Sequence, residues 1–353
     1  MIPTLLGIML LNFVIIQFAP GGPIERTIAQ IKGFDTSGTQ NITGDSGDEA
    51  VAAQKITTQN NAKYQGSKGI EPELIKQLEE FYGFDKPPTE RFVQMMLNYL
   101  SFDFGNSFYQ DRSVIGLIVD KMPVSISLGL WSTLIIYLIS IPLGIKKAVR
   151  NGTKFDVYTS FIVVIGNAIP GFLFAILLVV LFAGGSFWQI FPLRGLVSDN
   201  FDELSTWSQI LDYAHHLVLP TLALVIGGFA GITILTKNSF LAEISKQYVL
   251  TARAKGLGER DVLYKHVMRN AMLIVIAGIP AALVGILFTG AFMVEVIFSL
   301  DGLGLLGYNA VIGRDYPIIF GTLYMFTLLG LVMSLIRDVS YTLIDPRISF
   351  EGR

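Results

Sequence analysis

The two side chains most often found at thiol, metal and general-base sites, cysteine and histidine, are absent or scarce in this 353-residue chain. There is no cysteine, which removes thiol catalysis, disulfide frameworks and Cys-based zinc or iron–sulfur sites. Of the three histidines, His215 and His216 are adjacent. On a helix they point about 100° apart and cannot share one metal as an i, i+4 pair would. Their ordinary meaning is a polar start to an apolar helix. No G-x-x-x-x-G-K-[ST] loop is present to cradle a nucleotide phosphate, and neither H-E-x-x-H nor G-x-S-x-G occurs. The sequence therefore predicts no catalytic residue, no metal site and no cofactor held by this chain.

What the chain does concentrate is basic side chains in one polar stretch, 236–271. There Lys237, Lys246, Arg253, Lys255, Arg260, Lys265 and Arg269 stand against Glu243, Glu259 and Asp261. The centre reads Tyr248-Val-Leu-Thr-Ala-Arg-Ala-Lys-Gly256, then nine residues, then His266-Val-Met-Arg269-Asn270-Ala271. Good helix formers and the spacing of Phe240, Ile244 and Val249 predict a helix over 240–255. Gly256 stands where a left-handed C-cap is wanted, and a second helix is expected from about Glu259. Such a rigid basic elbow suits docking to a partner. Charge alone favours an ordinary positive-inside loop held against anionic lipid.

The elements that must position this elbow are apolar. Hydrophobic residues make up 52% of the chain and charged residues 15%, too apolar for an ordinary soluble domain. The net charge of −2 offers no global basic surface to nucleic acid. Six uncharged stretches are long enough to cross a bilayer: 2–19, 124–145, 157–185, 217–235, 272–294 and 317–336. The first lacks an A-x-A-like site and runs into Pro20, Gly21, Gly22 and Pro23, so it reads as a retained span and not as a cleaved signal peptide. The spans hold almost no ionisable residues, against the habit of ion-coupled carriers and aspartyl intramembrane proteases.

Charge then orients the spans. The connection 146–156 carries Lys146, Lys147, Arg150 and Lys154 against Asp156, whereas 186–216 and 295–316 hold only Arg194 and Arg314 as basic residues. The positive-inside rule places 146–156, 236–271 and the 337–353 tail in the cytoplasm, with both termini, and the long 20–122 segment outside. Within that segment 33–69 is rich in Gly, Ser, Thr, Asn and Gln and reads as a flexible excursion. Residues 70–112 predict two short amphipathic helices, after Pro72 and after Pro88, joined by a turn at 83–87 as a small external helical cap. The expected fold is an all-α polytopic membrane protein with six transmembrane helices. It divides into a first helix at 1–19, the external 20–122, a five-helix core at 123–336 carrying the 236–271 loop, and the 337–353 tail. Pro142, Pro170, Pro220 and Pro280 fall within or at the ends of spans, where static kinks are commoner than hinges. Gly227-x-x-x-Gly231 would allow close packing, against a sister subunit or within the chain.

The elbow resembles the "EAA" loop of ABC-importer permeases, in the version found in the peptide/nickel importer family: T-A-R-A-K-G, nine residues, then H-x-x-R-N-A. The Glu-Ala-Ala triad stands here as Leu250-Thr251-Ala252, and Gly256 is retained. Further signatures similar to the family's follow in order along nearly the whole chain. They are Phe18-Ala-Pro-Gly-Gly-Pro23, Tyr82-Gly-Phe-Asp-Lys-Pro87, Phe102-Asp-Phe-Gly-Asn-Ser107, Phe191-Pro-Leu-Arg-Gly195, Val294-Glu-Val-Ile-Phe-Ser299, Gly302-Leu-Gly304, Asp315-Tyr-Pro317 and Asp345-Pro-Arg347. The polar 33–69 insertion and the ending Ser349-Phe-Glu-Gly-Arg353 are most similar to the "B" permeases of peptide importers. Members of that family usually carry a further basic, apolar lead before the point where Met1 stands.

The resemblance implies a non-enzymatic permease subunit of an ABC importer that carries peptides or peptide-like compounds across a bacterial inner membrane. The implied partners are a homologous second permease, two ATPase subunits or one fused double ATPase that bind the ATP, a periplasmic peptide-binding protein and membrane lipid. Thr251, Ala252, Arg253, Lys255, Gly256, His266 and Arg269 are then the candidate residues for coupling to the ATPase. Arg194, Glu295 and Asp315 are candidate contacts with the pathway or the binding protein, although Glu295 has the ordinary alternative of a hydrogen bond to the 299–307 loop. Two other classes of function stay open on the residues alone: a stand-alone channel or exporter component, and a non-transporting membrane scaffold.

Overall fold

The computed structural model describes residues 2–18, 22–31, 72–184, 187–279, 282 and 292–344. The 33–69 stretch, Pro280, most of 280–291 and the Asp345-Pro-Arg347 signature lie outside the described residues. Among the described residues the chain is helical and has no strand. A single isolated bridge joins Asn106 and Ser113. The helices are α1 (Ile2–Phe18), α2 (Pro23–Ile31), α3 (Pro72–Phe81), α4 (Pro88–Leu100), α5 (Val114–Val149), α6 (Lys154–Ala168) and α7 (Gly171–Phe182). They continue with α8 (Thr206–Ile244), α9 (Gln247–Ala254), α10 (Met268–Ala277), α11 (Phe292–Ile297), α12 (Leu303–Gly313) and α13 (Tyr316–Ile344). Two compact units emerge: Met1–Ile118 with Gly307–Thr327, and Val119–Leu306 with Leu328–Arg353.

In the first unit α2, α3 and α4 each begin on a proline, the residue whose missing N–H costs nothing in the first turn of a helix. The α2 helix was not legible in advance, because its Pro23 reads as the end of a stop signal. The Arg26 side chain donates to the Gly313 carbonyl, and the Thr27 and Tyr82 hydroxyls meet at 2.7 Å. Tyr99 packs edge-on to Phe104 and Tyr324, with ring centroids 4.8 and 5.4 Å away.

The second unit is arranged around α8. Ser205 caps that helix, its hydroxyl accepting from the Ser208 N–H at 3.4 Å. At 39 residues α8 rises roughly 58 Å, well beyond a hydrocarbon core of about 30 Å, so it carries polar turns at both ends of its apolar centre. Val114–Val149, Thr206–Ile244 and Tyr316–Val339 are long and apolar enough to cross a membrane, and a fourth span results if α6 and α7 count as one. Small residues let the neighbours approach α8. A Cβ built on Gly144 of α5 would lie 2.6 Å from Thr236 Cβ and 2.8 Å from the Thr233 carbonyl, and one on Gly171 of α7 would lie 3.2 Å from the Ala223 carbonyl. Gly227 and Gly231, by contrast, have nothing within 4 Å of an added Cβ.

The kink expected at Pro170 is a sharp one: α6 and α7 meet at a 90° bend, so the 157–185 run is not one continuous helix. Pro170 supplies no N–H, and its ring forces Ile169 out of the helical region, to φ −84° and ψ 117°. The helix expected over 240–255 is also broken. The α8 helix ends at Ile244, Lys246 is extended at φ −79° and ψ 152°, and α9 restarts at Gln247.

The tight α5–α8 crossing can be checked directly. Gly144→Val is expected to force these helices apart and lower stability by about 1–3 kcal/mol, read as the thermal unfolding midpoint of the purified protein in detergent. The same change at Gly227, which faces open space, should leave the midpoint much closer to the unmodified value.

Candidate functional site: the basic elbow

The elbow is built from the break at Ser245–Lys246 onward. Its first arm, α9, ends in a hydrogen-bonded cap around Gly256. The Gly256 N–H donates to the Arg253 carbonyl at 2.9 Å, and the Leu257 N–H reaches back to the Ala252 carbonyl at 3.3 Å. This two-bond closure needs a residue in the left-handed region, and Gly256 has φ +83°. Nothing lies within 4 Å of an added Cβ, so the backbone, not packing, requires the glycine. The second arm starts with a turn at Glu259–Asp261, widens into a π-helix over Val262–Val267 and continues into α10. Wide turns of this kind are rare and occur frequently at functional sites.

Packing fixes the arms. Val249, Ala252, Val262, Val267 and Ala271 are buried together with Ala148 of α5 and Phe240 of α8. Ion pairs then brace the turn from outside. Arg253 binds the Glu259 carboxylate with two nitrogens, each at 2.9 Å, across the Gly256 cap. Lys265 sits 2.8 Å from Asp261 and holds that carboxyl below its ordinary range. Tyr248 donates to Glu243 at 2.7 Å. Burial first, and then this carboxylate, raise the phenol above its usual value. A cleft of about 330 Å³ opens beside Arg253, Glu259 and Arg260, floored by Ala148, Val149, Ile244 and Val262.

Of the residues singled out in the sequence, Thr251, Arg253, Lys255 and Gly256 come together at the exposed end of α9, and His266 and Arg269 are exposed on the second arm. Ala252 differs: it is buried and holds the arm to the cluster. Glu295 is fully buried. Its carboxylate accepts from the Ser125 hydroxyl at 3.0 Å and the Leu305 N–H at 2.8 Å, while the Ser125 oxygen accepts from the Leu303 N–H at 2.8 Å. A Cβ on Gly302 would collide with that carboxylate, and one on Gly304 would lie 2.9 Å from it, so the Val294–Ser299 and Gly302–Gly304 signatures form one interlocked unit. Asp315 is buried as well, accepting from the Ser107 hydroxyl and the Phe108 N–H, which joins two further signatures. Arg194 is exposed at the rim of a cleft of about 550 Å³ with Ser198, Asp199, Asn200 and His216. Both adjacent histidines are satisfied by carbonyls, His215 by Ile190 and His216 by Asp212, each at 2.9 Å.

One cluster was missed by sequence reasoning. Lys147 at the end of α5, Asp156 in the first turn of α6 and Lys237 of α8 meet in the interior. Lys147 is 3.0 Å and Lys237 2.8 Å from the Asp156 carboxylate, which also accepts from the Gly152 N–H at 3.1 Å. In the sequence these three read only as topological charge. No group of residues able to hold a metal ion occurs among the described residues.

A family described as "Binding-protein-dependent transport system inner membrane component" matches residues 140–350. Over its full length the chain is 60% identical to the peptidoglycan transport system permease protein YejB of Agrobacterium fabrum, covering 96% of that protein. It is likewise 57% identical to the inner membrane ABC transporter permease protein YejB of Escherichia coli O157:H7, covering 97% of it. The oligopeptide transport system permease protein AppB of Bacillus subtilis is 32% identical over 99% of this chain and 96% of that one. Among solved structures the inward-facing MetNI methionine ABC transporter is similar, with a TM-score of 0.51 and 18% identity over 65% of this chain and 97% of the other. That likeness is one of fold.

The interlock around Glu295 makes a double-mutant test. Gly302→Ala is expected to cost about 1–3 kcal/mol, because the added methyl must displace the carboxylate. In a Glu295→Ala background the same substitution should cost clearly less, the non-additivity being read from thermal midpoints of the four proteins.

Proposed function

The chain belongs to the family of binding-protein-dependent transport system inner membrane components, and from that membership we propose that it conducts peptides or peptide-like compounds inward as the permease subunit of an ABC importer. The observation that carries the cargo assignment is the full-length identity with permeases named for peptidoglycan and, more distantly, oligopeptide transport. As a permease the chain is a membrane component, and ATP is hydrolysed by partner ATPase subunits. A homologous second permease and a periplasmic binding protein complete the assembly.

Within it, the chain crosses the inner membrane six times with both termini cytoplasmic. The three long apolar helices and the bent α6–α7 pair support four of these spans. The other two are read from the apolar runs 2–19 and 272–294 of the sequence, the second lying largely outside the described residues. The charge contrast between short connections supports this orientation, which leaves the 70–112 helices as an external cap. The elbow then faces the ATPases and presents Thr251, Arg253, Lys255, His266 and Arg269 to them. Its shape supports a mechanical role. Closure of the ATPases displaces α9, and the buried contacts of Val249 and Ala252 with Ala148 and Phe240 carry that displacement into α5 and α8. Arg194 and Asp315 lie on the side of the binding protein.

Uptake decides the cargo. The assembled complex in proteoliposomes should accumulate a labelled short peptide or a peptidoglycan-derived peptide only with ATP and binding protein present. Accumulation of neither, by a complex that hydrolyses ATP normally, would overturn the assignment. In the same preparation Gly256→Val, which strains the left-handed cap by about 1–2 kcal/mol, should assemble but lose transport. Transport at the unmodified rate would remove the elbow from the mechanism, and a chain purifying without ATPases would favour a stand-alone channel.

Orientation is tested separately. Because the chain has no cysteine, single Cys probes are clean. A probe at Asn151 should be shielded from an impermeant thiol reagent in intact spheroplasts, and one at Asp199 should react. The reverse pattern would invert the topology.

A further inference from the structure

The buried cluster around Asp156 is asymmetric. Lys147 is 1% exposed and wholly engaged. Its ammonium lies 3.0 Å from the Asp156 carboxylate as an ion pair and donates to the Asp156 carbonyl and the Thr159 hydroxyl, both at 2.9 Å, and to the Ser160 hydroxyl at 2.7 Å. Lys237 is 18% exposed, and both its hydrogen bonds, each 2.8 Å, go to the Asp156 carboxylate. One lysine is therefore built in, whereas the other is attached at a single point and stays partly exposed.

The charges make detachment feasible. With both lysines in place the cluster holds two cations and one anion. If Lys237 leaves, Asp156 keeps Lys147 and the Gly152 N–H, so a neutralised pair stays behind and no bare charge is stranded. Loss of Lys147 would have the opposite character, because its three other acceptors would lose their donor.

The position gives detachment a consequence. Lys237 follows Thr236, which packs against Gly144 of α5, and precedes Phe240, a buried member of the elbow's apolar cluster. Asp156 sits in the first turn of α6, whose other end lies along α8 through Gly166, where an added Cβ would be 3.4 Å from the Phe229 ring. A shift of the elbow passes Lys237 before it reaches α6. We propose that the Lys237–Asp156 pair is a releasable latch between the elbow-bearing helix and α6, with Asp156 as a positioning residue of the transport cycle. This rests on the reading of the elbow as the ATPase-facing element.

A latch has two arrangements, and lysine acylation can tell them apart. In the assembled complex, acetic anhydride labelling mapped by mass spectrometry should leave Lys147 unmodified throughout. Lys237 labelling should differ severalfold between the nucleotide-free and ATP-trapped states. Equal labelling of Lys237 in the two states overturns the latch. A second arm reads coupling. Lys237→Met should still assemble, because Lys147 neutralises Asp156. Its ATP hydrolysis without binding protein should rise about threefold relative to the stimulated rate, within the range by which single contacts alter coupling, and Lys237→Arg should restore the unmodified ratio. An unmodified ratio in Lys237→Met, or no restoration by Lys237→Arg, also counts against the proposal. A complex that shows nucleotide-dependent Lys237 labelling yet imports no peptide would fail the cargo assignment and leave the latch standing.

Discussion

A polar group buried among apolar helices has to find its partners within the chain, because neither lipid nor close-packed side chains supply any. That constraint organises the molecule around three carboxylates. Asp156 gathers the end of α5, the start of α6 and the last third of α8. Glu295 gathers α5 and the 302–305 turn. Asp315 gathers the 107–108 turn. Each draws together segments far apart in sequence, and a register slip at any of the three would strand a buried carboxyl group. Van der Waals packing brings spanning helices together with little direction, whereas these carboxylates fix where along its length one helix meets the next.

Around that frame the elbow follows local rules. A glycine in the left-handed region closes α9, a bidentate Arg253–Glu259 pair spans the closure, and small apolar residues seat both arms on α5 and α8. The exposed and buried faces divide the labour. Thr251, Lys255, His266 and Arg269 are open to a partner, while Val249, Ala252 and Val267 hold their elements to the bundle. A force applied to the exposed face therefore reaches the long helices through close-packed contacts, which deform little and transmit displacement.

What the sequence made legible was whatever depends on neighbours in the chain. The Gly256 cap is written in the residue itself, and the prolines that open α3 and α4 are read the same way. The 90° bend at Pro170 was also encoded, since a residue before proline avoids the helical region, but hydropathy averages across such a break and reported one span. The break at Ser245–Lys246 had no local sign. Ser, Lys and Gln all tolerate a helix, and the break leaves Val249 and Ala252 buried in one cluster with Phe240 and Ala148. The Asp156 cluster was hidden for a different reason. Counting Lys147, Lys237 and Asp156 for topology keeps the sign of each charge and discards its partner, so a pairing across 81 residues leaves no trace in the tally. Glu295 was noticed, but only the structure explains why Gly302 and Gly304 accompany it.

The two fixed features of the second unit, the elbow and the Asp156 cluster, share their helices, and this sharing matters more than either alone. Ala148 of the elbow's cluster follows Lys147 in sequence, and Phe240 lies one turn beyond Lys237 on α8. The apolar contact holds wherever the helices stay close, because dispersion has no directional preference. The ion pair, in contrast, depends on the separation of two particular atoms. A rotation of α8 too small to unpack Phe240 can still carry the Lys237 ammonium away from the carboxylate. Pairing a tolerant contact with an exacting one on the same helices gives a bundle that stays assembled while one of its bonds opens and closes.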